Sequence, residues 1–182
     1  MTTITQLISA KEFAEMSPPA DGSKQELVRG EIVTMPRPKP RHGFVQANIG
    51  ALLIHHTKPN RLGRVFLESG VILEREPDTV RGPDVCFYSI ARLPDVPDDF
   101  FEIPPDIVVE VLSPNDRRRA IQEKINEYIA AGTNLVWVVD PVARTVMVYA
   151  GSTRGIELSE NDTMTGGDVL PGFACKVAEF FE

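Results

Sequence analysis

Glu110 is the residue whose type and setting first point to chemistry. It lies between Ile107-Val108-Val109 and Val111-Leu112, a β-branched run that follows Pro104-Pro105 and ends before Pro114, so the segment reads as a strand buried on both faces. A carboxylate there costs several kcal/mol unless it is neutralised, paired or bound to a metal ion. Glu110 must therefore have a partner or line a solvent-accessible site. Asp84 follows Pro83 and opens a second apolar run, Val85-Cys86-Phe87-Tyr88. Taken alone, Asp84 is a turn aspartate that accepts backbone hydrogen bonds. With Glu110 on a neighbouring strand, the two carboxylates can converge on a hard divalent cation through oxygen ligands. Lys124 supplies an amine. On a helix it falls about 60° from Ile121, on the shoulder of the face shared by Ile121, Ile125 and Tyr128, and its ammonium can reach back to the strand. The alternative is a helix-surface lysine beside Glu123 and Glu127.

The elements that must position these groups follow from pattern. Asn115 or Asp116 can cap a helix over Arg117–Ala131, and Gly132 suits the left-handed position that ends it. Leu135–Val139 is the next buried strand, and the strand–helix–strand order predicts a βαβ unit with parallel neighbours. His42–His56 is a helix with Val45, Ile49, Leu52, Leu53 and His56 on one stripe, and His42 lies in that stripe at its first turn. Such a histidine is either a packed or capping residue or a member of a site. Ser9 and Glu12 have capping-box spacing and open a short helix to about Met16. Lys24–Arg29 and Glu31–Met35 form a hairpin around Gly30, with Glu26 and Glu31 on its wet face and Glu31 the better functional candidate. The loop Met35–His42 is extended by three prolines and offers Arg37, Lys39 and Arg41 to phosphate. Arg64–Leu67 and Gly70–Leu73 are two strands or one interrupted strand, Pro77–Pro83 is a polar turn, and Ser89–Phe101 is a surface loop. Thr145–Tyr149 is expected to be the last strand of the main sheet, and Val177–Phe181 a short helix.

Composition bounds the rest. A chain of 182 residues, 42% hydrophobic and 25% charged, is large enough for one core and reads as one domain, 1–182. Its parts are the N-terminal helix and hairpin 9–35, a core 42–149 and a C-terminal extension 150–182. The net charge of −7 argues against a general nucleic-acid coat protein but leaves room for a local basic patch. Cys86 and Cys175 have no zinc-like spacing and fit a reducing compartment. The stretch MTTITQLISAKEF lacks a basic segment followed by a long apolar core, and no run approaches a membrane span, so a cytoplasmic protein without membrane partners is expected. A carboxylate-pair glycosidase is disfavoured, because the single tryptophan, Trp137, belongs to a buried strand.

Glu31, Arg41-His42, Pro83-Asp84-Val85, Val109-Glu110-Val111-Leu112-Ser113-Pro114, Glu123-Lys124 and Leu135–Pro141 together resemble a bacterial family of restriction-endonuclease-like proteins, abundant in cyanobacteria. The resemblance spans roughly Phe13 to Tyr149 and implies the PD-(D/E)XK nuclease fold, an α/β (α+β) architecture with a central mixed sheet flanked by helices. It also implies a metal-dependent endonuclease that hydrolyses phosphodiester bonds of nucleic acid, with DNA the expected substrate, or a catalytically inactive binding protein on the same scaffold. Carried over, Asp84, Glu110 and the carbonyl of Val111 would hold Mg²⁺ or Mn²⁺. Lys124 would be the lysine, and His42 and Glu31 auxiliary groups. This chain departs from the usual pattern at Leu112, where the lysine ordinarily stands, and Lys124 on the following helix would take over its task. Arg117, Arg118 and Arg119 could help to hold nucleic acid. Nucleases of this kind often act as homodimers, for which the apolar tail around Phe180-Phe181 offers a contact surface.

Overall fold

A computed structural model describes residues 7–114 and 116–182. The chain runs α1 (Ala10–Ala14), β1 (Lys24–Val28), β2 (Glu31–Met35), α2 (Pro40–Thr57), β3 (Gly63–Leu67), β4 (Val71–Glu74), β5 (Thr79–Arg81), β6 (Val85–Ser89), β7 (Ile107–Val111), α3 (Arg118–Ala131), β8 (Leu135–Asp140), β9 (Thr145–Ala150), β10 (Ile156–Ser159), β11 (Thr163–Gly166) and β12 (Leu170–Lys176), then a 3-10 turn over Val177–Phe180. The central sheet has the order β10-β9-β8-β7-β6-β3. It is mixed: β7 and β8 are parallel across the α3 crossover, and its other pairs are antiparallel.

Alternation along β7 decides what each face of this sheet holds. Val109 and Val111 turn toward α2, whose Val45, Ile49 and Leu53 join them in the main core. Val108 and Glu110 turn the other way, where Ile125 and Tyr128 of α3 cover Val108, Val136 and Val138. Gly132 ends α3 in the left-handed region at φ 105°, as expected of its type. A second, antiparallel sheet of order β2-β1-β5-β4 carries the N-terminal hairpin, and the Ser9–Glu12 capping box of α1 is formed.

Several expectations need correction. The stretch Pro77–Pro83 is more than a turn, since Thr79, Val80 and Arg81 make a fully buried strand between β1 and β4. Three residues that include an arginine are too short and too polar for any periodicity to register. Of the two readings of residues 64–73, that of two strands holds, β3 and β4 lying in different sheets. The central sheet continues past β9 to β10, and Met164, Leu170, Phe173 and Phe180 fill the main core. Phe180 stacks toward Trp137, with ring centroids 6.4 Å apart, so it is not a free contact surface. The N-cap of α3 is Arg117, without a side-chain cap. Asp116 instead accepts a hydrogen bond from the Ser113 amide, and Asn115, the other expected cap, lies outside the described residues.

Candidate active site

The antiparallel register of β6 and β7 pairs Val85 with Val109. One step further along the same ladder sets Asp84 opposite Glu110 on the α3 face. Both are 5% exposed. Asp84 Oδ2 accepts hydrogen bonds from the Val111 amide at 2.7 Å and from His42 Nε2 at 3.2 Å, while Oδ1 faces Lys24 Nζ at 3.4 Å. Glu110 Oε2 accepts from Lys124 Nζ at 3.1 Å and Oε1 from the Tyr128 hydroxyl at 2.7 Å. Lys124 and Tyr128 stand one turn apart on α3, which is why both reach the same carboxylate.

Lys124 does not end at Glu110. Its ammonium also donates to Glu26 Oε1 at 2.9 Å, and Glu26 in turn accepts from Arg81 Nη1 at 2.9 Å and the Gly82 amide at 3.2 Å. Arg81 closes the chain with a fork onto Glu127, Nε and Nη2 donating at 2.6 and 2.9 Å. Beside this row, Gln46 of α2 donates to the Asp84 carbonyl at 2.9 Å and to Glu68 Oε1 at 3.1 Å. Glu68 sits just past β3 with φ 52°, a backbone region that glutamate rarely adopts.

The electrostatics separate the two acids. Burial pushes the Asp84 carboxyl up, but the His42 hydrogen bond and the Lys24 charge outweigh it and hold Asp84 below the usual aspartate range. Burial pushes Glu110 above the usual range, and the Lys124 ammonium only partly offsets that. Lys124 stays charged: burial opposes its charge, yet the carboxylates of Glu110 and Glu26 more than restore it. The His42 imidazole is held above its ordinary value, because its contact with Asp84 overcomes its burial.

Of the residues singled out from the sequence, Asp84, Glu110, Lys124 and His42 come together. Glu31 does not join them. It lies exposed on β2, and among the described residues it makes no ion pair. Glu26, expected on a wet face, is instead 1% exposed at the centre of the ion-paired row. Arg117, Arg118 and Arg119 are exposed, Arg119 pairing with Glu123 at 2.9 Å, and Lys39 and Arg41 are exposed at the start of α2. His56 lies apart and contacts the Pro171 carbonyl at 3.0 Å. Lys24, Glu26, Arg81 and Tyr128 are the members that sequence reasoning missed. Lys24 and Glu26 carry the one signal that could have found two of them, since their i, i+2 spacing on a strand puts both on one face.

Among the described residues, no three His, Cys, Asp or Glu side chains form a group that could hold a metal ion. The side-chain donor set is the Asp84–Glu110 pair. Asp84 Oδ1 and both Glu110 oxygens each keep a lone pair beyond the contacts above, whereas Asp84 Oδ2 has both of its own engaged by the Val111 amide and His42. That set fits Mg²⁺, which is ordinarily held by one or two carboxylates and completes its shell with water and substrate oxygens.

Comparison with known proteins gives three findings. The family model described as Uma2, putative restriction endonuclease, matches residues 10–178. The crystal structure of a putative nuclease belonging to DUF820 from Anabaena variabilis superposes with a TM-score of 0.82 at 23% identity, covering 96% of this chain and 97% of that one. That likeness shows a shared fold. No curated protein matches the chain.

Proposed function

The chain belongs to the Uma2 family of putative restriction endonucleases, and from that premise we propose that it is a divalent-metal-dependent endonuclease hydrolysing phosphodiester bonds, with DNA as substrate. The observation that carries this reading is the pair of buried carboxylates, Asp84 and Glu110, set opposite each other on adjacent strands with the Lys124 amine 3.1 Å from the second. Asp84 and Glu110, with the Val111 carbonyl, would hold the ion. Bound there, the ion would polarise a phosphoryl oxygen and lower the pKa of an attacking water.

The chain's own residues do the rest. The Val111 amide and His42 fix Asp84 Oδ2, so the carboxylate keeps one orientation. Lys124 and Tyr128 fix both oxygens of Glu110, and Lys124 adds positive charge where negative charge develops on the phosphate. Lys124 thereby takes the task of the lysine that would ordinarily stand at Leu112. We also propose that the protein works as a homodimer in the cytoplasm, one site for each strand of the duplex; sedimentation that returns a monomer under cleavage conditions would remove the dimer from the reading.

The test is cleavage of supercoiled and linear DNA with Mg²⁺ or Mn²⁺, with and without chelator, by the parent and by Glu110→Ala. Metal-dependent cutting that disappears in a folded Glu110→Ala variant is expected. Cleavage that survives both chelation and the substitution refutes the site. A second reading, a binding protein on a nuclease scaffold, draws on the fact that each acid already has an ammonium partner within the chain. Calorimetric titration of Mn²⁺ separates the two: heat from the parent that is absent in Asp84→Ala supports the nuclease, and no heat from either supports the binding protein.

A further inference from the structure

Two lysines reach the candidate site, and they are held differently. Lys124 is bracketed by Glu26 at 2.9 Å and Glu110 at 3.1 Å, with a side chain 11% exposed. Among the described residues Lys24 has one carboxylate partner, Asp84, at the longer distance of 3.4 Å, and its side chain is 20% exposed. An ammonium has three N–H donors, so among the described residues Lys24 keeps two beyond its contact with Asp84. It also lines a cavity of about 320 Å³ with Ser23, Glu68, Arg81 and Gly82. Arg81 is tied to Glu26 and Glu127, which leaves Lys24 as the cation on that wall with donors to spare among the described residues. Gly82 keeps the space beside it open: a Cβ there would stand 3.3 Å from Lys24 Cε and 3.9 Å from Nζ.

Resting on the nuclease reading above, we propose that Lys24 is the amine that contacts the substrate, donating to a phosphate oxygen of the nucleic acid from the mouth of the Asp84–Glu110 site, while Lys124 holds Glu110 and Glu26 and lends its charge from behind them without touching the phosphate. The physical reason is competition for one oxygen. A divalent ion that takes Asp84 Oδ1 displaces a singly charged partner at 3.4 Å more readily than one bracketed at 2.9 and 3.1 Å. Lys24, released, is a flexible point charge on a four-carbon stem beside an open cavity, the kind of group that binds phosphate. Lys124 cannot leave without stranding two buried acids. Lys24 and Glu26 lie two residues apart on the same face of β1, so this strand places one residue to meet the substrate and another to fix the site from behind.

The test compares the parent with Lys24→Gln, Lys24→Arg and Lys124→Gln by four measurements: thermal melting, calorimetric Mn²⁺ titration without nucleic acid, anisotropy of a labelled DNA duplex in Ca²⁺, and single-turnover cleavage in Mg²⁺. Lys24→Gln is expected to melt within a few degrees of the parent and to bind Mn²⁺ at least as tightly, because a competing cation has gone. It should bind duplex about tenfold more weakly and cut about 100-fold more slowly, with Lys24→Arg recovering part of both. Lys124→Gln is expected to lower the melting temperature and weaken Mn²⁺ binding. Duplex binding and cleavage by Lys24→Gln equal to the parent's would overturn the assignment and leave Lys24 a counter-ion of Asp84. A parent that binds duplex without cutting it would sink the nuclease reading alone, and the anisotropy of Lys24→Gln would still decide this one. A parent that neither binds nor cuts overturns both.

Discussion

Replacing Glu26 by glutamine should damage the fold more than replacing Glu110, although Glu110 is the residue placed at the chemistry. Glu26 is 1% exposed and its two oxygens face Lys124, Arg81 and the Gly82 amide. Glutamine keeps the volume but removes the charge, and its amide nitrogen must then confront a donor. Two cations are left undercompensated in the interior, a loss of about 3–5 kcal/mol by analogy with broken buried ion pairs. At about 2–4 °C per kcal/mol for a chain of this length, the melting temperature falls by roughly 6–20 °C. Glu110→Gln is different. Lys124 loses its bond to residue 110, where the amide nitrogen now faces it, but keeps Glu26; the glutamine carbonyl can still accept from Tyr128, and the group that burial had pushed toward its neutral form becomes neutral. Its stability should therefore stay within about 1 kcal/mol of the parent, the net worth of one hydrogen bond. Calorimetric melting and urea unfolding of both variants measure the contrast. Equal destabilisation of the two, or a loss below about 1 kcal/mol for Glu26→Gln, would refute the claim that Glu26 is the structural member of the pair.

Acid should act through the same groups. Asp84 and Glu26 are held below their ordinary values of 3.8 and 4.5, so the stability they lend is fully present above those values and is lost as pH falls below them. In Asp84→Asn the acid limb of a stability–pH curve should flatten, and an unchanged limb would contradict the site's electrostatics. Phe180→Ala should cost about 3–5 kcal/mol, because the ring is fully buried against Trp137, and a near-neutral result would mean that the C-terminal segment is not part of the core. Burial pushes the fully buried Cys86 thiol up to about 12, so Cys86 should resist Ellman's reagent at pH 8 until the chain is unfolded. Rapid labelling of Cys86 in the native protein would contradict that burial.

What could be read in advance was the part of the site carried by elements with strong patterns. The run around Glu110 is continuous enough to be a central strand, and Lys124 has a computable angle on a helix whose end Gly132 marks. What could not be read was the contribution of the second sheet. β5 has only three residues, and Arg81 within it is buried by pairing rather than by hydrophobicity. Glu26 and Leu27 are neighbours on β1 and both fully buried, so the wet–dry alternation that assigned Glu26 to solvent does not apply. One face of that strand meets Ala10 and Val80, and the other meets the ions of the main sheet. A strand buried on both faces between an apolar layer and an ionic one looks, in a single sequence, like an ordinary amphipathic edge.

The division of labour that results is a consequence of charge. A site meant to take a divalent ion must keep two carboxylates close together, and in the absence of compensation they repel and protonate. Here the compensation comes from outside the sheet that bears them: Lys24 from β1, His42 from α2 and Lys124 from α3, with Lys124 itself held by Glu26 and, through it, by Arg81 and Glu127. The acids are close to a sheet register that the backbone enforces, while the cations sit on side chains that can move. An ion entering between Asp84 and Glu110 therefore meets carboxylates already in position and has only an ammonium to displace. The N-terminal sheet is thus part of the site's electrostatics, and truncating the hairpin at β1 should abolish metal binding even where the central sheet survives.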